Sequence, residues 1–250
     1  METRVDCHIK KLSPSVIARA AARGVDAVIY APHFTPLPEI EATAAAYADA
    51  PVMVIPGREI FTGTWRSRRH ILAVGMSAPV PDFITLEGAL ETLSEQGATV
   101  LVPHPGFANV SLTAAEVASH HERLDAIEQE NFKSRRRHNR RAREIADRSG
   151  LPTFGSSYAH LPASVGATVT VFDGTLPDAA SVIAAIAGDR HRRIVSELRP
   201  QSQLQGILEF SHLGWENTVQ KLRRLGTPGF AATHPEAPVY ADRFDDVTVY

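Results

Sequence analysis

Short apolar runs alternate with amphipathic stretches along most of the chain. "DAVIYA" (26–31), "VMVIPG" (52–57), "ILAVG" (71–75), "TVLVPH" (99–104), "DAIEQEN" (125–131) and "TVTVF" (168–172) have the length and β-branched content of strands buried on both faces. Helical periodicity marks "PSVIARAAARG" (14–24), "TLEGALETLSEQG" (85–97) and "NFKSRRRHNRRAREIADRSG" (131–150) between them. Gly24, Gly97 and Gly150 fall where helix C-caps belong, each just before the next strand. Repeated β-α units predict an α/β fold with a parallel sheet, open or closed into a barrel. After about Gln201 the pattern changes to one helical stretch and a tail rich in Pro and Asp. The expected organisation is a barrel domain over 1–200 with an extension over 201–250 packed on it.

Composition narrows the function classes. With 250 residues, 44% of them hydrophobic, the chain can bury a sizeable core without disulfides, and Cys7 is its single cysteine. One cysteine fits a reducing, cytoplasmic setting. No apolar run approaches the roughly 20 residues needed to span a bilayer, so no membrane association is expected. A formal net charge of -2 gives no global attraction to nucleic acid or anionic lipid.

The polar residues carry the chemistry. Functional groups of parallel α/β folds gather at the C-terminal ends of the strands, where the following loops share one face. His33 follows "VIYAP", Glu59 follows "MVIPGR", His104 follows "TVLVP", Glu128 and Asn131 lie in or after "DAI", and His160 follows "PTFGSSYA". His8 and His70 lie in or beside strands of their own. Imidazoles and a carboxylate converging from separate segments suit a divalent cation.

The ordered motifs "DCHIK", "APHF", "GREI", "RRHILAVG", "PHPG", "IEQEN" and "GSSYAH" resemble those of the PHP (polymerase and histidinol phosphatase) family of metal-dependent phosphoesterases. The match runs over residues 3 to 175. The resemblance implies a distorted TIM-like (β/α)7 barrel, with metal ions at the C-terminal mouth. It implies one metal on Glu59, His70 and His104, all present. A second would use His8 and the bridging Glu59, but Lys10 and Tyr158 stand where the family has His and Asp. A third retains His33 and His160. One or two divalent ions per chain, Zn, Mn or Fe, are therefore expected.

Two readings are open at Lys10: an ammonium filling the space of the missing ion, or an outward surface lysine beside Lys11. Tyr158 is either a proton or hydrogen-bond donor to substrate or a loop aromatic covering the site. His8 and His160 are further candidates for catalysis, and Asp6 for orienting His8. Asn131 reads best as the N-cap of the basic helix. Lys133 and Arg135 at that helix start, with Arg66, Arg68 and Arg69 of "TWRSRRH", are candidate contacts to an anionic substrate. The remaining arginines of the helix read as a solvated face, with oligonucleotide binding as the alternative. His138 and His234 receive no role. The expected activity is hydrolysis of a small phosphate ester or nucleotide through a metal-activated water. Hydrolysis of a non-phosphate substrate, or a degenerate protein binding metal, nucleotide or RNA, are the alternatives.

Overall fold

The structure, a computed structural model, describes residues 1–64, 66–108, 110–197, 232–240 and 244. The helical stretch expected over 203–226, with Phe210, Leu213 and Trp215, lies outside the described residues, as does Trp65. Nine strands form one sheet: β1 (Glu2–Ile9), β2 (Ala27–Tyr30), β3 (Met53–Thr62), β4 (Arg69–Val74), β5 (Thr99–Val102), β6 (Ala126–Asn131), β7 (Thr153–Ser156), β8 (Thr168–Asp173) and β9 (Arg192–Ser196). Its order is β7-β6-β5-β4-β3-β2-β1-β8-β9. Around it lie α1 (Pro14–Ala22), α2 (Leu37–Ala45), α3 (Leu86–Glu95), α4 (Ala114–Ser119), α5 (Arg136–Ser149) and α6 (Ala179–Ala187).

The sheet curls into a nearly closed barrel. Ile9 at the end of β1 bridges Ala159 beyond β7, and the Lys10 amide donates to the Ala159 carbonyl at 2.8 Å. Strand β7 also crosses β8, where the Gly155 amide donates to Thr170 Oγ1 at 2.9 Å. A Cβ at Gly155 would meet Ile194 Cγ2 at 2.4 Å, so this crossing requires glycine.

The sheet is mixed rather than wholly parallel. β1-β2-β3 and β5-β6-β7 pair in parallel, whereas β4 is antiparallel to both neighbours and β8 to β1 and β9. The six-residue segment 63–68 between β3 and β4 is too short for a parallel crossover, so β4 turns straight back. Gly24, Gly97 and Gly150 all adopt positive φ, 63°, 64° and 68°, at the ends of their helices. No atom lies within 4 Å of a Cβ built on any of them, so conformation alone selects glycine there.

Inside the barrel, Val5 and Cys7 pack with Ile29, Ile55, Leu72, Phe154 and Phe172. Ile9 instead packs outside with Val16, Ile17 and Ala20 of α1. The register shift between Asp6 and Ile9 accounts for this change of face. Leu90 and Leu93 of α3 cover Ile71 and Val100 on another flank. Among the described residues no helix is long and apolar enough to cross a membrane.

Candidate metal centre

Four segments converge on Glu59, which is wholly buried near the end of β3. His70 Nδ1 and His104 Nε2 lie 2.9 and 3.0 Å from its Oε1. Its other oxygen, Oε2, receives the Lys10 ammonium, and His8 Nε2 and His33 Nδ1 lie 3.4 and 3.3 Å from it. His70 reaches the mouth because β4 is antiparallel: its first residues stand level with the last residues of β3, where Phe61 pairs with His70. The Phe61 ring then stacks on the His70 imidazole at 3.8 Å, holding its plane.

One donor atom each from Glu59, His70 and His104 lies within 4.8 Å of the others. Two imidazoles and a carboxylate suit a catalytic divalent ion with room for further ligands. Both nitrogens of His8, Nδ1 of His33 and Nε2 of His70 are buried with no well-formed hydrogen bond among the described residues. Buried polar atoms are ordinarily satisfied. A cation suits the His70 nitrogen of the Glu-His-His set, and water or a substrate oxygen suits those of His8 and His33 beside the Lys10 ammonium.

Lys10 points inward. The register shift turns Lys10 and His8 to the mouth, and Lys10 Nζ also donates to the Ala31 carbonyl at 2.6 Å. Asp6 makes no hydrogen bond to the His8 ring nitrogens: its carboxylate accepts the amides of Ser157 and Gly166 at 2.9 and 2.8 Å. It therefore anchors the loops after β7 rather than orienting His8. Asn131 is likewise not a helix cap. It ends β6, donates from Nδ2 to Glu128 Oε2 at 3.0 Å and accepts the Lys133 amide at 3.0 Å, while α5 starts only after Arg135.

His104 is positioned from two sides. Its backbone, at φ 35°, donates to Glu128 Oε2 at 2.6 Å, and its Nδ1 lies 2.7 Å from Ser111 Oγ. Phe34 and Tyr158 also adopt positive φ, 53° and 49°. Such conformations cost roughly 1–3 kcal/mol each and gather at functional sites. Glu128, nearly sequestered, also accepts from Ser156 Oγ at 2.5 Å.

Tyr158 is buried, its ring centroid 4.8 Å from that of His8, 5.3 Å from His104 and 5.1 Å from His160. Lys10 Nζ and Lys133 Nζ lie 5.3 and 4.9 Å from its centroid. Lys133 Nζ is 2.6 Å from His160 Nδ1. Two buried ammonium groups thus flank one phenol ring at the mouth. Arg69 is engaged elsewhere, its Nε 2.8 Å from both oxygens of Glu116. Arg66 and Arg135 are exposed, and Arg68 is half-buried.

Two histidines set aside on sequence grounds lie near this centre. His138 lines a cleft with His104, Phe107, Glu128 and Asn131. His234 is buried 6.3 Å from the Phe83 ring, and Phe83 stacks at 6.1 Å on Phe34, in the aromatic wall beside His33. Nothing local in "THPEAPVY" (233–240) marks this docking, which depends on the Asp82 amide donating to the Thr233 carbonyl at 2.7 Å.

Burial controls the charge states. It pushes His8 down to about 3, with Lys10 adding to the shift, and His70 down to about 4 against the pull of Glu59. His33 and His160 also fall well below the ordinary imidazole range, through burial and then Lys10 and Lys133 respectively. Burial alone would raise Glu59, but Lys10 and the surrounding histidines outweigh it and hold it well below the usual carboxylate range. Burial brings Lys10 down to about 8 while Glu59 opposes the fall. At neutral pH the imidazoles are ready to act as neutral ligands, and Lys10 balances Glu59.

A pH prediction follows for the metal-free protein. Unfolding releases His8 and His70 to pKa values near 6.5, so the unfolded state binds more protons between that value and the folded pKa. Their contribution is intact above about pH 6.5 and is lost as pH falls. Asp6, raised by burial to about 6, acts in the opposite direction, because its folded form binds a proton first. From pH 7 to 5 the two histidines lose roughly 2 kcal/mol each and Asp6 returns about 1, so these three groups cost about 2–3 kcal/mol, with His33 and His160 acting in the same direction and Glu128, raised by burial, opposing. Urea melts at the two pH values measure this difference; equal stability would contradict the buried, neutral histidines.

The mixed, nearly closed barrel is a fold shared with PHP-type structures. Residues 136–190 match the family described as PHP-associated. PsfC from Pseudomonas syringae has a similar fold at 17% identity, with a TM-score of 0.62 over 85% of this chain and 99% of that one. A two-domain protein of Bacteroides vulgatus, containing a predicted PHP-like metal-dependent phosphoesterase, gives 17% and 0.62 over 84% and 70%. The lesion-specific endonuclease PfuEndoQ from Pyrococcus furiosus gives 17% and 0.58 over 78% of this chain and 58% of that one. No curated protein matches the chain. The matched segment and the fold are thus similar to those of PHP-type proteins. At these identities the structural likenesses extend to the fold alone.

Proposed function

We propose that this protein is a metal-dependent phosphoesterase acting on a small phosphate ester or nucleotide. The observation that carries the reading is the convergence of Glu59, His70 and His104 donor atoms within 4.8 Å at the barrel mouth. A divalent ion held there would lower the pKa of water toward neutrality and polarise a phosphoryl oxygen. The protein's own residues supply the rest. Lys133, buried near the mouth 2.6 Å from His160 Nδ1, is suited to an anionic oxygen of the substrate. Tyr158, in contact with His8, His104 and His160, excludes water from one side and is the candidate proton donor to the leaving oxygen.

Among the expected substrate contacts, Lys133 has the strongest support and Arg69 the weakest, because Arg69 already pairs with Glu116. Nucleic acid is the second reading, favoured by the arginines of α5, although Arg143 pairs with Glu130. The reading is tested with an aryl phosphate monoester and diester. Hydrolysis should require Mn²⁺, Zn²⁺ or Fe²⁺, stop on chelation and return on reloading. Metal binding without phosphate release from either ester would shift the assignment to a non-phosphate hydrolase.

Glu128 offers a more local test. Replacing it with Ala removes the acceptor of the His104 amide at the strained φ of 35°. Metal affinity, read by calorimetry, should fall roughly 10–100-fold, the usual effect of losing a group that orients a ligand. An unchanged affinity would mean that Ser111 alone positions His104.

A further inference from the structure

The two oxygens of Glu59 face different partners. Oε1 faces His70 and His104, the pair completing the Glu-His-His set. Oε2 is occupied by a lysine ammonium, with His8 and His33 beside it. We infer that Lys10 is a built-in cation standing at the position of a second metal ion, so that the centre holds one divalent ion per chain and Lys10 supplies the second positive charge to a bound phosphoryl group. This inference rests on the phosphoesterase reading.

Three observations carry it. First, Lys10 is fixed. Its amide donates to Ala159 and the preceding residue's carbonyl accepts from the Ala31 amide at 2.9 Å, so the backbone is tied to strand ends on both sides. Second, the ammonium is committed. It donates to Glu59 Oε2 and to the Ala31 carbonyl, which uses two of its three N–H groups and leaves one for a substrate oxygen. A divalent ion on Oε2 would have to displace this ammonium or sit against it, in a region where like charges repel strongly. Third, the remaining space is filled. The Tyr158 ring lies against His8 and His104 with Lys10 Nζ 5.3 Å from its centre, and a neutral phenol offers a metal far less than a carboxylate would. Only neutral imidazoles and a shared carboxylate remain on that side.

The measurement is metal content by elemental analysis of the full chain, loaded with Mn²⁺ or Zn²⁺ and freed of excess ion. It is paired with the Kd of inorganic phosphate for the loaded protein by calorimetry. The wild type should hold one ion per chain. K10M should keep that ion, with folding checked by circular dichroism, and bind phosphate at least tenfold more weakly, and Lys10→Arg should recover part of the loss. The double substitution Lys10→His with Tyr158→Asp should raise the content to two. Two ions in the wild type would overturn the inference while leaving the phosphoesterase reading intact. So would phosphate affinity unchanged in folded K10M. No ion in the wild type under any loading would instead overturn the phosphoesterase reading itself. The wild-type stoichiometry decides the number of ions even if a variant fails to fold, and Lys10→Arg, with a weakened phosphate Kd expected and an unchanged one overturning the charge role, carries the phosphate test if K10M does not fold.

Discussion

Glu59→Ala should abolish metal binding and lower kcat/KM for a phosphate ester by at least roughly 10³-fold, because the substitution removes the group shared by every other member of the centre. His70 and His104 lose their common acceptor on Oε1, and Lys10 loses its counter-ion on Oε2. Removing one member of a buried ion pair costs about 3–5 kcal/mol, since the remaining charge stays desolvated. The variant should therefore be less stable as well as inactive. Glu59→Gln separates the two effects: it keeps the shape of the side chain but offers a weaker ligand. A double variant adding Lys10→Met to Glu59→Ala should recover much of the stability and none of the metal, a coupling that a double-mutant cycle reads directly. Elemental analysis and thermal melts are the two measurements. Retention of a tightly held ion by Glu59→Ala would show that the centre is built on other ligands.

Asp82→Ala should produce the largest loss of stability away from the metal ligands. Arg58, beside Glu59 in sequence, is fully buried, with Nη2 2.7 Å from Asp82 Oδ2 and Nη1 donating to the Val80 carbonyl. Asp82 Oδ1 also accepts the Phe61 amide at 2.9 Å, so one carboxylate neutralises a buried guanidinium and secures the end of β3. Its loss should cost about 3–5 kcal/mol, or roughly 6–20 °C in Tm for a chain of this size. Metal affinity should fall too, because Phe61 stacks on His70. Asp82→Asn, which keeps an acceptor, should lose less. A change below about 1 kcal/mol for Asp82→Ala would mean that neutral acceptors around Arg58, the Tyr240 hydroxyl among them, suffice for the buried guanidinium.

The Glu59 and Asp82 predictions differ in how far their bases were legible. Glu59, His70 and His104 are separated by 11 and 34 residues, yet each follows or begins an apolar run. That order is enough to nominate them, since strand ends share a face. Asp82 sits in "APVPDFITL" with no periodic signal, and Arg58 looks like an ordinary charged residue of the "GREI" motif. Only the fold brings the two to 2.7 Å.

The chain's one-dimensional pattern determined where most strands and helices lie, which glycines end helices and which side chains could ligate a metal. These properties depend on local conformation and burial, and both leave a periodic trace in neighbouring residues. Tertiary structure decided the rest. The reversal of β4 brought His70 to the mouth, and a shift of register in β1 turned His8 and Lys10 inward while sending Asp6 to the loops after β7. It seated Lys10 on Glu59, Lys133 on His160 and His234 beside the aromatic wall. The physical reason is that hydrophobic burial is non-directional and can be read from spacing, whereas ion pairs and ligand sets require partners distant in sequence, whose approach is set by strand direction and register.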